Sequence, residues 1–329
     1  MSALNAPHFQ DSEKAREYLE SLRWPDGPVC PHCGSTEGAY RLKGKGGAKG
    51  TSARAGALKC KACRRQYSVT VGTVFERSHI PLHVWLQATY LICSSKKGMS
   101  AHQLHRTLGV TYKTAWFMSH RIREAMREGG IDPMGGNGAP VEIDTTFIGG
   151  KPRYRGGRVR PLNQWGKPKK GRRPSSDPTA KAEVLVLVER GGRAHALPIK
   201  SLTTKRVREI LSKHVSPAAH LMTDEASPLV RLGRHYQHDS VNHSAGEYAR
   251  GNVSINTAES YFALLKRGVM GTFHHISKRH LHRYCDEFSF RWSYRKVEDA
   301  ERAEAALRGI EGKRLTYRQP KTGGIASSS

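Results

Sequence analysis

The chain has 329 residues, enough for two or three domains, and its 55 Lys and Arg against 28 Asp and Glu give a net charge of +27. Residues 1–20 are polar and the longest apolar run, residues 84–93, is too short to span a bilayer, so we expect a cytoplasmic protein without membrane contact. The charge predicts a polyanionic partner, most simply double-stranded DNA; the alternative is a basic soluble or ribosome-associated protein.

Residues 1–23 are predicted to contain one helix. In residues 11–22 an acidic start is followed by apolar residues at helical spacing, and the sequence RWPDG then ends the pattern.

Two Cys-x-x-Cys pairs, separated by 26 residues, predict a zinc ribbon over residues 24–75. The four thiols are Cys30, Cys33, Cys60 and Cys63. Disulfides and dithiol catalysis are the alternatives; the expected reducing compartment disfavours the first, and the presence of two pairs disfavours the second. Residues 42–59 are rich in Gly and basic residues, which suits either a fingertip on DNA phosphates or a plain solvated loop.

Residues 76–130 resemble a helix-turn-helix region. Residues 99–108 and 112–127 have helical patterns on either side of the break Gly109-Val110-Thr111. On the second helix Lys113, Arg121 and Arg123 lie off the apolar side, so we expect them to contact DNA. Packing of three helices without DNA contact is the alternative.

Residues 131–295 are predicted to form the second half of the protein, beyond a Gly-rich linker at 129–139. Strand patterns at 141–147, 182–188, 194–199, 220–222 and 239–241 alternate with helix patterns at 203–215, 256 onward and 277–295. This order predicts an α/β, ribonuclease-H-like three-layer domain. Residues 151–173 hold ten Lys or Arg, including Lys169, Lys170, Arg172 and Arg173, and are expected to be a DNA-binding loop. Residues 296–329 are expected to be a charged, disordered tail.

Three acids lie where strands end or a helix begins. Asp144 and Asp224 follow short apolar runs, and Glu259 lies in the first turn of the helix that starts at Asn256. Three such carboxylates can bind two Mg²⁺ ions that act on both oxygens of a phosphoryl displacement. Lys266, two turns after Glu259, is expected to hold a phosphate. Local capping is the alternative explanation, above all for Asn256 and Glu259, which fit a capping box.

Basic residues follow the same helix. We expect Arg267, Lys278 and Arg279 to face DNA phosphates. The neighbouring histidines, His274, His275, His280 and His282, leave a second metal site with Asp286 as an alternative.

Several segments together resemble the ISXO-type insertion-sequence transposases of bacteria, which place a zinc ribbon before a DDE catalytic domain. The segments are RWPDGPVCPHCGS (23–35), EIDTTFIGGK (142–151), HSAGEYARG (243–251), NTAES with LKRGVMGTFHHIS (256–277) and YCDEFSFRWSYR (284–295). One position departs from the family pattern, because Thr145 stands where an acid usually follows the first catalytic Asp.

The resemblance implies a nucleoid-associated enzyme that nicks transposon ends and joins them to target DNA, with Asp144, Asp224 and Glu259 as magnesium ligands. The resemblance leaves open whether Asn256, and not Glu259, is the third magnesium ligand. It also implies at least a dimer, because two transposon ends must be brought together. A catalytically silent zinc-ribbon DNA-binding regulator is the main alternative function, and a host junction or repair nuclease is another.

Overall fold

The computed structural model describes residues 3–42, 56–129, 132–136, 138–149, 181–230, 236–242, 245–247 and 249–316. The basic run 151–173, with Lys169, Lys170, Arg172 and Arg173, lies outside these residues, as do residues 43–55 between the cysteine pairs. The chain divides into two compact units. We call Met1–Gly130 with Ser293–Ser329 the ribbon unit, and Ile131–Trp292 the sheet unit.

The ribbon unit begins with helical elements and a small sheet. Two 3₁₀ turns, Ala3–Asn5 and Pro7–Phe9, precede α1 (Ser12–Arg23), and the strands are β1 (Ala39–Arg41), β2 (Leu58–Cys60) and β3 (Gln66–Tyr67). Helix α1 starts after Asp11, whose carboxylate accepts from the amides of Glu13 (2.8 Å) and Lys14 (2.9 Å), which confirms the predicted helix. The strands form an antiparallel sheet in the order β1-β2-β3.

Three further helices confirm the helix-turn-helix pattern: α2 (Leu82–Ser94), α3 (Ala101–Leu108) and α4 (Tyr112–Met126). Ser100 caps α3 and Thr111 caps α4 through side-chain oxygens. Between them Gly109 has φ 66°, a left-handed conformation that glycine adopts without steric cost, so the chain turns sharply into α4.

The prediction that residues 296–329 form a disordered tail is wrong for the first part of this segment. Residues Asp299–Arg308 form a helix, which packs against α1, α2 and α4 and buries Ala303, Ala306 and Leu307. These three residues recur at helical spacing among charged neighbours, so a helix with a narrow apolar stripe forms where composition alone suggested a charged tail.

The sheet unit contains most of the remaining elements. They are β4 (Val141–Ile148), β5 (Ala182–Glu189), β6 (Ala194–Ile199), α5 (Thr204–His214), β7 (His220–Thr223), α6 (Ser227–Val230), β8 (Gln237–Ser240), β9 (Ala249–Arg250), β10 (Val253–Ser254), α7 (Asn256–Gly268), a π-helical turn (Val269–Phe273) and α8 (Leu281–Ser293). We number the tail helix Asp299–Arg308 as α9. No helix in the described part of the chain is both long enough and apolar enough to cross a membrane.

Five strands form a mixed sheet in the order β6-β5-β4-β7-β8. Strands β4, β5 and β6 are antiparallel neighbours, whereas β7 lies parallel to β4 and β8 parallel to β7. Helices cover both faces: Val184, Val186 and Val188 of β5 pack with α7 and α8, and Leu185 and Leu187 pack with α5. This three-layer α/β arrangement confirms the predicted ribonuclease-H-like fold.

Candidate active site

The four cysteines converge at one point of the ribbon unit. The Sγ atoms of Cys30 and Cys63 lie 3.6 Å apart, those of Cys33 and Cys60 lie 3.8 Å apart, and all four lie within 4.8 Å of one another. A tetrahedron of Zn–S bonds of about 2.3 Å places its sulfurs about 3.8 Å apart, so the cluster fits zinc. Burial is the largest single influence on Cys30 and opposes its ionisation. Hydrogen bonds from the backbone amides of His32 and Cys33 and from the thiols of Cys33 and Cys63 together outweigh burial and lower the pKa of Cys30 to about 7.

The expectation that Arg121 and Arg123 contact DNA is wrong. They are 5% and 2% exposed, and residues 118–126 of α4 are all buried. The Arg121 guanidinium donates to the Glu76 carbonyl (2.5 Å) and lies 5.5 Å from the ring of Trp85. Burial lowers the pKa of Arg121 to about 10. Helix α4 packs against α2, α3 and α9, so the side that a helical wheel leaves to solvent is covered. Lys113, at the start of α4, is exposed.

Asp144 and Asp224 occupy matching positions on neighbouring parallel strands. The last pair in the register of β4 and β7 joins Ile143 to Thr223. Asp144 and Asp224 each follow by one residue, so their carboxylates start from adjacent backbone positions, about 4.8 Å apart between strands. Both side chains are half-buried, and each carboxylate accepts a backbone amide nearby: Thr145 N at 2.6 Å and Ala226 N at 3.1 Å.

A buried glutamate fixes the helix that carries Glu259. Glu142 is completely buried, and its Oε2 accepts the amides of Thr257 (2.8 Å) and Ala258 (2.9 Å) in the first turn of α7. Its Oε1 accepts the Thr257 hydroxyl (2.9 Å) and Arg190 Nε (2.6 Å). Glu142 therefore stabilises the positive end of α7 and ties it to β4, two residues before Asp144 and on the same sheet face.

Arg190 completes this connection. Its Nη1 donates to the carbonyl and side chain of Asn252 (2.7 and 2.8 Å), and its Nη2 donates to the carbonyl and hydroxyl of Ser254 (3.0 and 2.8 Å). The guanidinium thus holds both the buried carboxylate and the chain that leads into α7. Together, Glu142 and Arg190 attach the first turn of α7, which includes Glu259, to the strand that carries Asp144.

The proposed capping box of Asn256 and Glu259 is not formed. The N-cap of α7 is Ile255, without a side-chain cap, and Asn256 is the first helical residue. Glu142 supplies the cap from another strand, so neither Asn256 nor Glu259 is needed for it. Both side chains are exposed at the start of α7.

Comparison with known protein families agrees with this geometry. Residues 135–293 match the family model of the ISXO2-like transposase domain, and residues 10–66 match that of the transposase zinc-ribbon domain. The sheet unit is an ISXO2-like transposase domain. An uncharacterized protein in transposable element ISH50 of Halobacterium salinarum is 29% identical over 290 residues, 86% of this chain and 91% of that protein. Its source is archaeal, so the similarity is not confined to bacterial elements.

The basic residues expected near the chemistry of the transposase domain lie on its surface. Lys266, Arg267, Lys278 and Arg279 are all exposed. Helix α7 runs unbroken from Glu259 to Lys266, so these two side chains share one face two turns apart. The Lys266 ammonium lies 6.0 Å from the ring of Phe262 and borders a cavity of about 370 Å³.

Among the described residues, the four cysteines are the one group of three or more His, Cys, Asp and Glu ligands within 4.8 Å of one another. The three acids of the transposase domain, and the histidines after α7, are therefore more widely spaced than this. Acids that share two ions about 3.5–4 Å apart do not require such close spacing, whereas a single-ion histidine site does. The geometry thus disfavours the second metal site and remains compatible with a two-ion carboxylate site.

Sequence reasoning missed Glu142 and Arg190. The sequence contains only a weak indication of their role. Glu142 is a charged residue at a buried position of an apolar strand, and Arg190 directly precedes a two-glycine turn. A buried charge requires a partner, but the partner lies 48 residues away and its identity depends on the fold.

Proposed function

We propose that this protein is a DDE-type transposase that binds the ends of its insertion sequence and catalyses metal-dependent cleavage and strand transfer of DNA. One observation carries the proposal: Asp144 and Asp224 follow paired positions of two parallel strands, and the helix of Glu259 is anchored beside Asp144 through Glu142. Three acids from two strands and one helix, on the face where α7 begins, suit phosphoryl transfer.

In this proposal Asp144, Asp224 and Glu259 hold two Mg²⁺ ions. When bound, the ions supply charge stabilisation of the attacking and leaving oxygens. Lys266 places a compact positive charge on the face of α7 that carries Glu259, where it holds a phosphate of the reacting strand. The Thr145 hydroxyl adds no negative charge beside Asp144.

Duplex DNA is the proposed partner for the exposed cations. Lys113 in the ribbon unit and Arg267, Lys278 and Arg279 in the sheet unit are exposed and are proposed to contact phosphates. Lys169, Lys170, Arg172 and Arg173 belong to the same proposal by sequence alone. The zinc ribbon and α3–α4 are proposed to select the ends. A pair of ends requires at least two copies of the chain, acting on the nucleoid in the cytoplasm.

A catalytically silent DNA-binding regulator is the second candidate. It requires DNA contacts by the zinc ribbon and the exposed cations, but no catalysis by the three acids. The two candidates differ in whether the protein breaks DNA.

The test is Mg²⁺-dependent nicking of a labelled duplex that carries the DNA flanking the gene. We expect Asp144→Asn, Asp224→Asn and Glu259→Gln to abolish nicking, with thermal melting and DNA binding unchanged. Asn256→Ser should retain most activity, because Glu142 and not Asn256 caps α7.

Each contrary result has a distinct meaning. Nicking that survives Glu259→Gln but is lost in Asn256→Ser would make Asn256 the third ligand. Equal nicking by every variant would exclude the acids from catalysis. Tight binding by the wild-type protein without nicking under any Mg²⁺ concentration would favour the regulator.

A further inference from the structure

A cavity of about 370 Å³ lies in the sheet unit where α7 ends. Its wall includes Phe147, Lys181, Lys266, Met270, His274 and His275. None of the described residues that line it is acidic, so it combines cationic and apolar surface without a metal-ligating carboxylate. Its volume is at the small end of ligand pockets, which range from about 300 to 1,000 Å³, and suits one small ring system.

The backbone beside the cavity is irregular. Helix α7 passes into a π-helical turn, Val269–Phe273, and His274 then has φ 57° and ψ −41°. π-Turns are rare and recur at functional sites, and a non-glycine residue at positive φ is held there against a steric cost. The turn projects Met270 outward and brings His274 and His275 into the cavity wall.

Two large apolar side chains are left in solvent at this point. Phe147 is 57% exposed and Met270 is 76% exposed, and both line the cavity. In the described part of the sheet unit Val230, 44% exposed, is the other large hydrophobic residue with comparable exposure. Two of these three exposed hydrophobic residues line one cavity beside two lysines, and such a surface suits a flat apolar group that carries negative charge.

We propose that this cavity receives an unstacked nucleotide of the DNA strand that carries the reacting phosphate. The inference rests on the proposed function, because Lys266 joins the cavity to the face of α7 that carries Glu259. A base in a duplex is shielded by its neighbours and reaches a pocket after it leaves the stack. Phe147 and Met270 then supply the surface against which the base packs, while Lys181 and Lys266 bind its flanking phosphates.

The chemistry of the wall distinguishes this occupant from others. A divalent metal is disfavoured because lysines and histidines line the cavity without carboxylates. An apolar peptide or a second copy of the chain would gain from Phe147 and Met270 but would leave the lysines without anionic partners. A nucleotide satisfies both kinds of surface at once.

The experiment uses full-length, zinc-loaded protein and duplexes of the flanking DNA with 2-aminopurine at successive positions around the nick. Fluorescence is measured with Asp224→Asn, so that the DNA stays intact. We expect the fluorescence of 2-aminopurine at one position to rise several-fold on binding, as it does when a base is unstacked. The rise should be absent when Phe147→Ala or Met270→Ala is combined with Asp224→Asn.

Cleavage provides the second measurement. In the otherwise wild-type protein Phe147→Ala and Met270→Ala should each slow nicking about tenfold, since loss of one stacking contact is of this order. An abasic site at the brightening position should remove the difference between these variants and wild type. Val230→Ala is the matched control and should behave as wild type.

Failure of the inference is separable from failure of the proposed function. If wild-type protein nicks the DNA but no position brightens, and both variants nick at the wild-type rate, the cavity does not bind a nucleotide. Slow nicking that an abasic site does not correct would also overturn the inference, as would variants that change only self-association. If wild-type protein neither binds nor nicks the flanking DNA, both proposals fall.

Discussion

Replacing Arg190 by Ala should release the start of α7. The substitution removes the cationic partner of Glu142, whose carboxylate is fully buried, together with four hydrogen bonds to Asn252 and Ser254. Glu142 would then keep the two α7 amides and the Thr257 hydroxyl but remain a buried charge without a counter-charge in this network.

The magnitude follows from the burial of the two partners. Breaking a buried ion pair costs about 3–5 kcal/mol. The Arg190 side chain is 22% exposed, so the cost lies near the lower limit, about 3 kcal/mol. Arg193, across the two-glycine turn, donates one hydrogen bond to the Asp132 carbonyl (2.7 Å), and its loss is worth about 1 kcal/mol. Arg193→Ala is therefore the matched control.

Hydrogen exchange at the amides of Thr257 and Ala258 is the most direct assay, since both amides donate to Glu142. Arg190→Ala should speed their exchange about 100-fold, as about 3 kcal/mol implies, and should lower the stability of the sheet unit in urea. Arg193→Ala should leave these amides protected. Equal exchange in the two variants would refute the assignment of Arg190 as the anchor of α7.

Three other predictions follow from the ribbon unit and the sheet core. Lys113→Ala should reduce the slope of log DNA affinity against log salt by up to about 0.9 without changing stability, whereas Arg121→Ala should destabilise the ribbon unit and leave the slope unchanged. Chelation of zinc should unfold the sheet of β1, β2 and β3 around the cysteines and weaken DNA binding; complete zinc loss with unchanged affinity would exclude the ribbon as a DNA-binding element. Burial, and then proximity to His214, lowers the pKa of His195 to about 4, below its unfolded value near 6.5. The unfolded state therefore binds the proton first, and lowering the pH from 6.5 to 4.5 should cost about 2 kcal/mol of stability in urea titrations, a loss that His195→Asn should remove.

The sequence predicted the elements whose pattern is local. The bounds of four strands, β4, β5, β6 and β7, lie within one residue of those expected. Each strand is an apolar run bounded by turn residues, so consecutive residues of the sequence are enough to predict it. The cysteine cluster was predictable for the same reason: ligand type and spacing define the site. The positions of Asp144 and Asp224 after paired strands follow from the topology that these strands imply.

Features that depend on distant partners were not predictable. Arg121 lies on the polar side of a helical wheel, yet α4 is buried there by elements that include α9, nearly 180 residues away in sequence. Asn256 has the residue type of an N-cap, but Glu142 supplies the cap from β4. In each case the local sequence pattern predicted one role for the residue, and tertiary contacts in the folded protein give a different arrangement.

The return of α9 to the ribbon unit has a consequence for how the protein is made. The chain enters the ribbon unit, leaves it for 162 residues, from Ile131 to Trp292, and then comes back. At about 5–20 residues per second, a ribosome needs roughly 8–30 s to cross that interval. Throughout this time the sheet unit is being synthesised, and the nascent helices α1, α2 and α4 lack the helix that covers them. The ribbon unit can therefore complete its folding only after the sheet unit has been synthesised, and until then the sides of α1, α2 and α4 that α9 covers stay open to a chaperone.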